Sequence, residues 1–378
     1  MITLAAPAEA VVHRAKTSNA AKNPNKEGFG GPANGVLQIV VSIGSQRVTV
    51  FSNGTEIAQG PVSTGVPGHP TPMGVFSIIQ KDRYHHSNIY GNAPMYYMQR
   101  ITWSGVAMHE GALPGHAASH GCIRLAHSFA ANLWPTTRLG ARVIVTRNDL
   151  SPVDFAHPNL FMPKPKPANP VIADSEPKPN GMIRFAQSTM PSTDARALDA
   201  TGSDPEAAKP AATDIDAPKP VPPGGKRAEQ PIKRSGQVAV FVSRKERKIF
   251  VRQGFVPLFE MPVEIDELDR PLGTHVFTAL EFKNDGSGMR WNLITIPTQA
   301  VRAVETGRTR VKSRKPEPAV VESKPPSSAA QALDRIRLPK EAIDRIGELL
   351  SPGSSLIVSD QGNSYETGRG TEFIVLTR

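Results

Sequence analysis

A long stretch without apolar periodicity divides this sequence into two regions that can fold. From Pro158 to Arg234, proline, alanine, lysine and aspartate dominate, and the apolar residues follow neither a helical nor a strand-like spacing. A segment of this kind cannot bury enough apolar surface to offset the entropy lost on ordering. The sequence therefore predicts a linker over 151–235, and we expect the two regions that it joins to move independently.

Length, composition and charge narrow the class of protein. The chain has 378 residues, of which 39% are hydrophobic, and this length favours at least two domains. No uncharged apolar run reaches the roughly 18 residues of a membrane span, so we predict no transmembrane segment. The net charge of +10 favours an anionic partner such as a cell wall or a lipid surface. Nucleic acid is a poor candidate, because the sequence contains no zinc finger, RNP-like aromatic pattern or helix-turn-helix signal.

The N-terminal segment, 1–35, is predicted to be flexible. It lacks the basic stretch and the apolar run of a secretory signal, although Ala8-Glu9-Ala10 has the small-x-small pattern of a cleavage site. We interpret the segment as the remnant of a signal peptide whose beginning precedes the assigned start. The prediction is therefore an exported protein.

The first region, 36–150, is predicted to consist of strands and turns with one short helix near its end. Arg47-Val-Thr-Val-Phe51 carries β-branched residues with partial alternation, and Asn53-Gly54 is a strong hairpin signal. A closing strand is predicted at Arg142-Val-Ile-Val-Thr146. The helix is predicted from apolar residues that recur at every fourth position, namely Leu125, Phe129 and Leu133.

The second region, 236–378, resembles a degenerate copy of the first. At an offset of 213 positions, Ile123-Arg-Leu125 pairs with Ile336-Arg-Leu338, and Val143-Ile-Val145 pairs with Leu356-Ile-Val358. A polar insertion is predicted over about 301–331, and no cysteine or histidine follows His275. We therefore predict a second copy without catalytic activity that serves in binding or regulation, and whose removal leaves an active first region.

One short stretch of the first region gathers residues that carry chemistry. Cys122 is the only cysteine, so it cannot form an intrachain disulfide, and its position just before the predicted helix favours a reactive thiolate. Gly121 lets the backbone approach a substrate carbonyl closely, and the amides around it are candidates to stabilise an oxyanion. His109, His116 and His120 are all candidate bases. Together with Cys122, these histidines also permit a zinc site.

Three sequence pieces together resemble one known family. Ser119-His-Gly-Cys-Ile-Arg-Leu125, preceded by Met108-His109 and by Thr71-Pro-Met-Gly74, is similar to the signature of the L,D-transpeptidase catalytic domain, the YkuD family. The resemblance covers less than a third of the chain. It implies a mainly β, β-sandwich-like domain with one short helix after the nucleophile, which agrees with the hairpin pattern.

The resemblance also implies a role for each residue. Cys122 is expected to be the nucleophile, and His109 is expected to donate and accept the proton. His120 is expected to orient or polarise the thiol, with Ser119 and Gly121 supporting the loop. Arg124 is expected to support the nucleophile loop or to bind a substrate carboxylate. Neither a metal nor a cofactor is implied.

The implied reaction is acyl transfer on peptidoglycan stem peptides in the periplasm or cell envelope, as in wall biosynthesis and the maintenance of cell shape. The acceptor is an amine of a neighbouring stem or of a protein to be anchored to the wall. Two alternatives stay open at this point. One is an L,D-carboxypeptidase or amidase of the same fold that uses water as acceptor, and the other is a wall-binding protein without catalysis.

Overall fold

A computed structural model describes residues 28–30, 33–164, 236–283, 288–297, 325–368 and 370–377. All of these residues belong to one compact unit. Several predictions lie largely outside the described residues, namely the signal remnant, most of the linker and the polar insertion as far as residue 324. None of the helices in the described ranges is long and apolar enough to cross a membrane.

The described residues up to 155 form short strands and a single helix. The strands are β1 (Gly28–Phe29), β2 (Leu37–Ser42), β3 (Arg47–Ser52), β4 (Thr55–Ser63), β5 (Gly74–Ser77), β6 (Gln80–His86), β7 (Pro94–Arg100), β8 (Ala107–Glu110), β9 (Ile123–Leu125), β10 (Arg142–Thr146) and β11 (Val153–Phe155). The helix is α1 (His127–Thr136), and it buries Phe129, Ala130 and Leu133.

The described residues from 236 onward add further strands and two helices. The strands are β12 (Val238–Ser243), β13 (Lys248–Gln253), β14 (Val256–Pro262), β15 (Glu264–Ile265), β16 (Thr274–Phe282), β17 (Met289–Ile296), β18 (Ile336–Arg337), β19 (Ser355–Ser359) and β20 (Val375–Leu376). The helices are α2 (Ala329–Asp334) and α3 (Lys340–Leu349). The end of the predicted insertion, 325–331, is therefore ordered and leads into α2.

The first sheet confirms the mainly β prediction. Its strands lie in the order β20-β5-β10-β2-β3-β4-β9-β8-β7-β6, with β1 beside β4. Strands β3 and β4 form the predicted hairpin, because Asn53 and Gly54 both have positive φ values, 48° and 84°. The sheet curls around a buried core that α1 helps to cover.

The second sheet repeats the strand order of the first. Its order is β11-β17-β16-β19-β12-β13-β14, so β16-β19-β12-β13-β14 corresponds to β5-β10-β2-β3-β4. In each sheet a late strand pairs in parallel with the first strand of the meander. A bulge interrupts the pairing at Val50/Phe51 in one sheet and at Val251/Arg252 in the other.

The two sheets pack against each other through a shared apolar core. Val40 and Ile144 of the first sheet join Phe241 and Ile357 of the second in one buried cluster. The C-terminal strand β20 also pairs directly with β5 of the first sheet. The expectation that the two regions move independently is therefore wrong for the described residues, because separating the sheets exposes this core to water.

Buried polar contacts fix the sheets relative to each other. The Gln38 and Asn292 side-chain amides hydrogen-bond in both directions, at 2.6 and 3.3 Å. Arg142 forms an ion pair with Glu372 at 2.7 Å, and the exposed fraction of each side chain is 6%. Polar groups buried in this way must find partners, so the contacts select one arrangement of the two sheets.

The predicted linker begins later than residue 151. Strand β11 pairs with β17, and Leu160 and Phe161 are buried in the core of the second region. The Lys164 backbone N–H donates to the Gly347 carbonyl at 2.9 Å. Residues 153–164 therefore pack on the second sheet, because this part of the stretch still carries large apolar side chains to bury.

Candidate active site

Cys122 lies at the end of a tight loop that leads directly into β9. Its side chain is partly exposed, and its Sγ approaches the Gly105 carbonyl oxygen at 3.6 Å. Helix α1 begins only at His127, after β9. The prediction of a thiol at a helix N-terminus is therefore wrong, and a helix dipole does not activate the sulfur.

Hydrogen bonds from two sequence motifs hold the loop in place. Gly121 has a φ of 110°, a backbone conformation that favours glycine. The Ser119 hydroxyl donates to the Cys122 carbonyl and accepts from the Gly121 N–H at 3.2 Å. The Thr71 hydroxyl donates to the Gly121 carbonyl at 2.8 Å. Ser119 and Thr71 therefore shape the loop, and the Gly121 N–H is engaged inside it rather than free for an oxyanion.

His109 lies on β8, beside the loop. Strands β8 and β9 pair in parallel, with His109 opposite Arg124. Because side chains alternate along a strand, His109 and Arg124 share a sheet face, and Cys122 directly precedes β9. The His109 Nδ1–H donates to the Glu110 carbonyl at 2.6 Å. In the neutral ring this leaves Nε2 as a proton acceptor.

Burial favours the uncharged forms of both groups. It raises the pKa of the Cys122 thiol, and the Ala107 amide and the charges of Arg100 and Arg124 offset part of this effect. Burial also lowers the pKa of His109 to about 4, although its hydrogen bond to Glu110 acts in the opposite direction. At neutral pH the thiol and the imidazole are therefore both uncharged in the resting state. This differs from the expected ionised thiolate.

Arg124 lies close enough to influence both groups electrostatically. Its positive charge lowers the pKa of His109 and that of Cys122. Its aliphatic stem packs over Gly111, where an added Cβ would lie 3.0 Å from the Arg124 Cγ. The residue is partly exposed, so an anionic ligand can approach it.

The other two histidines, His116 and His120, are exposed. His120 is exposed, and its ring lies between those of His69 and Tyr90 at centroid distances of 4.9 and 5.1 Å. His116 is exposed as well, and its carbonyl accepts a hydrogen bond from the Ser63 hydroxyl. Among the described residues, no group of three or more His, Cys, Asp or Glu side chains is arranged to hold a metal ion.

Sequence reasoning missed several contacts of the nucleophile loop. Gly105 and Ala107 touch the sulfur through backbone atoms, and Arg100 acts on it through its charge. Backbone contacts leave no residue-type signal, so no pattern could have identified them. Thr71 was part of the quoted Thr-Pro-Met-Gly motif, but its hydrogen bond to Gly121 depends on the fold.

Comparison with known proteins assigns the region that carries this site. The family model of the L,D-transpeptidase catalytic domain, YkuD, matches residues 37–145. This range is therefore similar to the L,D-transpeptidase catalytic domain. Cys122, His109 and Arg124 all lie within it, whereas the second sheet lies outside the match.

Individual relatives resemble the same part of the chain. L,D-transpeptidase 1 of Mycobacterium tuberculosis is 34% identical over 118 residues, which are 27% of this chain and 47% of the relative. The matched region thus spans about half the length of that relative. A solved L,D-transpeptidase from Mycobacterium smegmatis is 27% identical with a TM-score of 0.28, over 30% of this chain and 59% of that one. A C442S mutant of the Enterococcus faecium L,D-transpeptidase is 25% identical with a TM-score of 0.27. The match covers 29% of this chain and 49% of that one.

Proposed function

We propose that this protein is a peptidoglycan L,D-transpeptidase with Cys122 as its nucleophile. The family match supports the reaction class. The single observation that carries the proposal is the parallel pairing of β8 with β9, which sets His109 opposite Arg124, two residues after Cys122. A thiol beside a base whose orientation is fixed by a third group is the usual arrangement for nucleophilic acyl transfer.

The first half-reaction forms a thioester on Cys122. His109 Nε2 accepts the thiol proton as the sulfur attacks the carbonyl of the third residue of a stem peptide. The tetrahedral oxyanion is stabilised by backbone amides beside Cys122. When the carbonyl re-forms, the C–N bond breaks, and His109 returns its proton to the amine of the departing terminal D-alanine.

The second half-reaction transfers the acyl group. The acceptor amine loses a proton to His109, attacks the thioester and forms a new amide, and Cys122 leaves as a thiol. One amide bond is broken when the thioester forms, and one amide bond forms when the thioester is cleaved. The cycle therefore needs no ATP. Arg124 holds the loop in register and meets a carboxylate of the donor stem.

Mass spectrometry and muropeptide analysis test this proposal together. An acylating lactam of the carbapenem type should add one adduct to the protein, and Cys122→Ala should abolish it, because this is the only cysteine. Incubation with tetrapeptide stems should yield cross-linked dimers. Trimmed monomers alone indicate a carboxypeptidase that uses water, and wall binding by a protein without either product indicates a non-catalytic role. Unimpaired turnover in Cys122→Ala rules out the assigned nucleophile.

The proposed substrate sets the proposed location. Stem peptides occur outside the cytoplasmic membrane, so the protein is assigned to the periplasm or cell envelope. The net charge of +10 suits an anionic wall. The acceptor is an amine of a neighbouring stem or of an anchored protein, and the products of the muropeptide assay distinguish these.

We also propose that the second region is a degenerate copy of the first. The repeated strand order supports this, and so does the shared bulge, since Val50 and Val251 are 201 positions apart. Phe76 and Phe277 show the same spacing and pair with corresponding strands. Two unrelated sheets do not need the same irregularity at the same position.

Arg335 occupies the position in the copy that corresponds to Cys122, 213 residues later. Its guanidinium is buried and donates to the carbonyls of Asp266, Glu267 and Arg270 at 3.0, 2.7 and 2.8 Å. The loop that these carbonyls belong to corresponds to the 65–70 loop beside Cys122. A large, fully bonded side chain thus fills the former nucleophile position, and the copy neither reacts nor binds a stem peptide there.

A further inference from the structure

The 102–106 loop of the transpeptidase region forms part of the wall around the sulfur. Its Gly105 carbonyl oxygen lies 3.6 Å from Cys122 Sγ, and the next strand begins with Ala107, whose amide also meets the sulfur. The Thr102 hydroxyl closes the loop by accepting the Val106 N–H at 3.0 Å. The position of this loop therefore sets the environment of the nucleophile.

A carboxylate from the far end of the chain holds the same loop. Glu366 Oε2 accepts the Trp103 backbone N–H at 2.5 Å, and Oε1 accepts the Ser104 N–H at 3.2 Å. The exposed fraction of Glu366 is only 4%. Hydrogen bonds to an ionised acceptor are stronger than neutral ones, and burial protects them from competing water. Glu366 thus clamps two consecutive amides beside the site.

The segment that carries Glu366 is itself firmly anchored. The Glu366 backbone N–H donates to the Ser364 hydroxyl at 3.3 Å, and the Ser364 N–H donates to the Ile374 carbonyl at 3.3 Å. Beyond this turn, Phe373 is buried in the shared core and β20 pairs with β5. The clamp therefore connects the second region rigidly to the first.

We infer that Glu366 is a positioning residue for Cys122, supplied by the non-catalytic region. It acts through the 102–106 loop, and it touches neither substrate nor sulfur. The inference rests on the proposed function only in taking Cys122 as the nucleophile. It assigns the second region a role in the reaction: the second region holds the 102–106 loop, whose backbone surrounds the thiol.

Alkylation of Cys122 by iodoacetamide tests the inference without any wall substrate. Glu366→Ala should slow alkylation at neutral pH about tenfold and move the midpoint of its pH profile upward, because a loop that loses two charge-assisted hydrogen bonds no longer fixes the Ala107 amide that favours the thiolate. Glu366→Gln keeps one acceptor oxygen and should show a smaller change. If the alanine variant does not fold, the alkylation profile of Glu366→Gln is measured in its place.

Glu372→Gln is the matched control. It removes a buried carboxylate from the same segment, one that pairs with Arg142 rather than with the loop. It should lower the melting temperature and leave the alkylation profile unchanged. Equal profile shifts in both variants, or a wild-type profile in Glu366→Ala, overturn the inference. A shifted profile in a protein that fails to react with stem peptides refutes the proposed function alone.

Discussion

At the scale of single residues, the protonation of Cys122 and His109 decides how the reaction begins. Burial acts on both groups in the direction of the neutral form. In the proposed reaction the thiol then loses its proton during the attack rather than before it, and His109 is the proposed general base. The hydrogen bond from its Nδ1 to the Glu110 carbonyl holds the tautomer that this role requires.

The pH profile of acylation provides a direct test. His109 is competent as a base when neutral, and its pKa is lowered to about 4. The acylation rate by a lactam should therefore stay level as the pH falls through 6.5, the ordinary value, and should decline only near 4. Stopped-flow kinetics, with circular dichroism to verify the fold at each pH, measure this profile.

His109→Gln serves as the control for that experiment. It should react slowly and without the acidic decline, because glutamine does not titrate. An inflection of the wild-type acylation rate near pH 6.5 contradicts the assigned burial of His109 and indicates that its ring is exposed to solvent.

At the scale of elements, the short C-terminal strand stabilises more of the molecule than its length suggests. β20 contributes only Val375 and Leu376, yet it extends the first sheet at β5. The Phe373 ring packs against Phe241 at a centroid distance of 5.5 Å. The strand thereby closes an exposed sheet edge and supplies apolar surface to the shared core.

Phe373→Ala should lower the free energy of unfolding by about 3–5 kcal/mol, the usual loss for a buried phenylalanine. The exposed fraction of this side chain is 1%. Phe282→Ala is the matched control, since its side chain is 50% exposed and should change stability far less. Urea denaturation measures both. A loss below about 1 kcal/mol for Phe373→Ala contradicts the assigned packing.

At the scale of the whole molecule, the two sheets form one folding unit. They share a buried cluster, the Gln38–Asn292 contact and the Arg142–Glu372 ion pair. The earlier expectation that the first region remains active without the second stays a prediction, and the shared core argues against it. The back of the first sheet is too apolar to face water.

A chain truncated after residue 150 tests this conclusion. It exposes Val40, Val75 and Ile144, which are buried in the full chain, so it should aggregate or lack a cooperative urea transition. The full chain should unfold in one transition. Adding residues 236–378 as a separate fragment should restore part of the lactam reactivity. A monomeric, cooperative and reactive truncated chain contradicts the shared-core model.

The sequence carried more of this architecture than its local patterns suggest. Strand β2 is apolar on both faces, since Ile39 and Val41 face one core and Val40 faces the other. Such continuous apolar runs indicate burial on both sides. A partner sheet was therefore predictable in principle, but a run of this kind does not say which segment covers it.

By itself the sequence determined the hairpin at Asn53-Gly54, the helix after β9 and the resemblance of the first region to a known family, because each depends on residues close together in the chain. The tertiary structure decided the remainder. It buried Cys122 and His109 enough to keep them neutral, turned His120 outward and brought Glu366 to the loop beside the sulfur. These outcomes depend on solvent exclusion and on contacts between residues far apart in sequence, and neither leaves a local pattern.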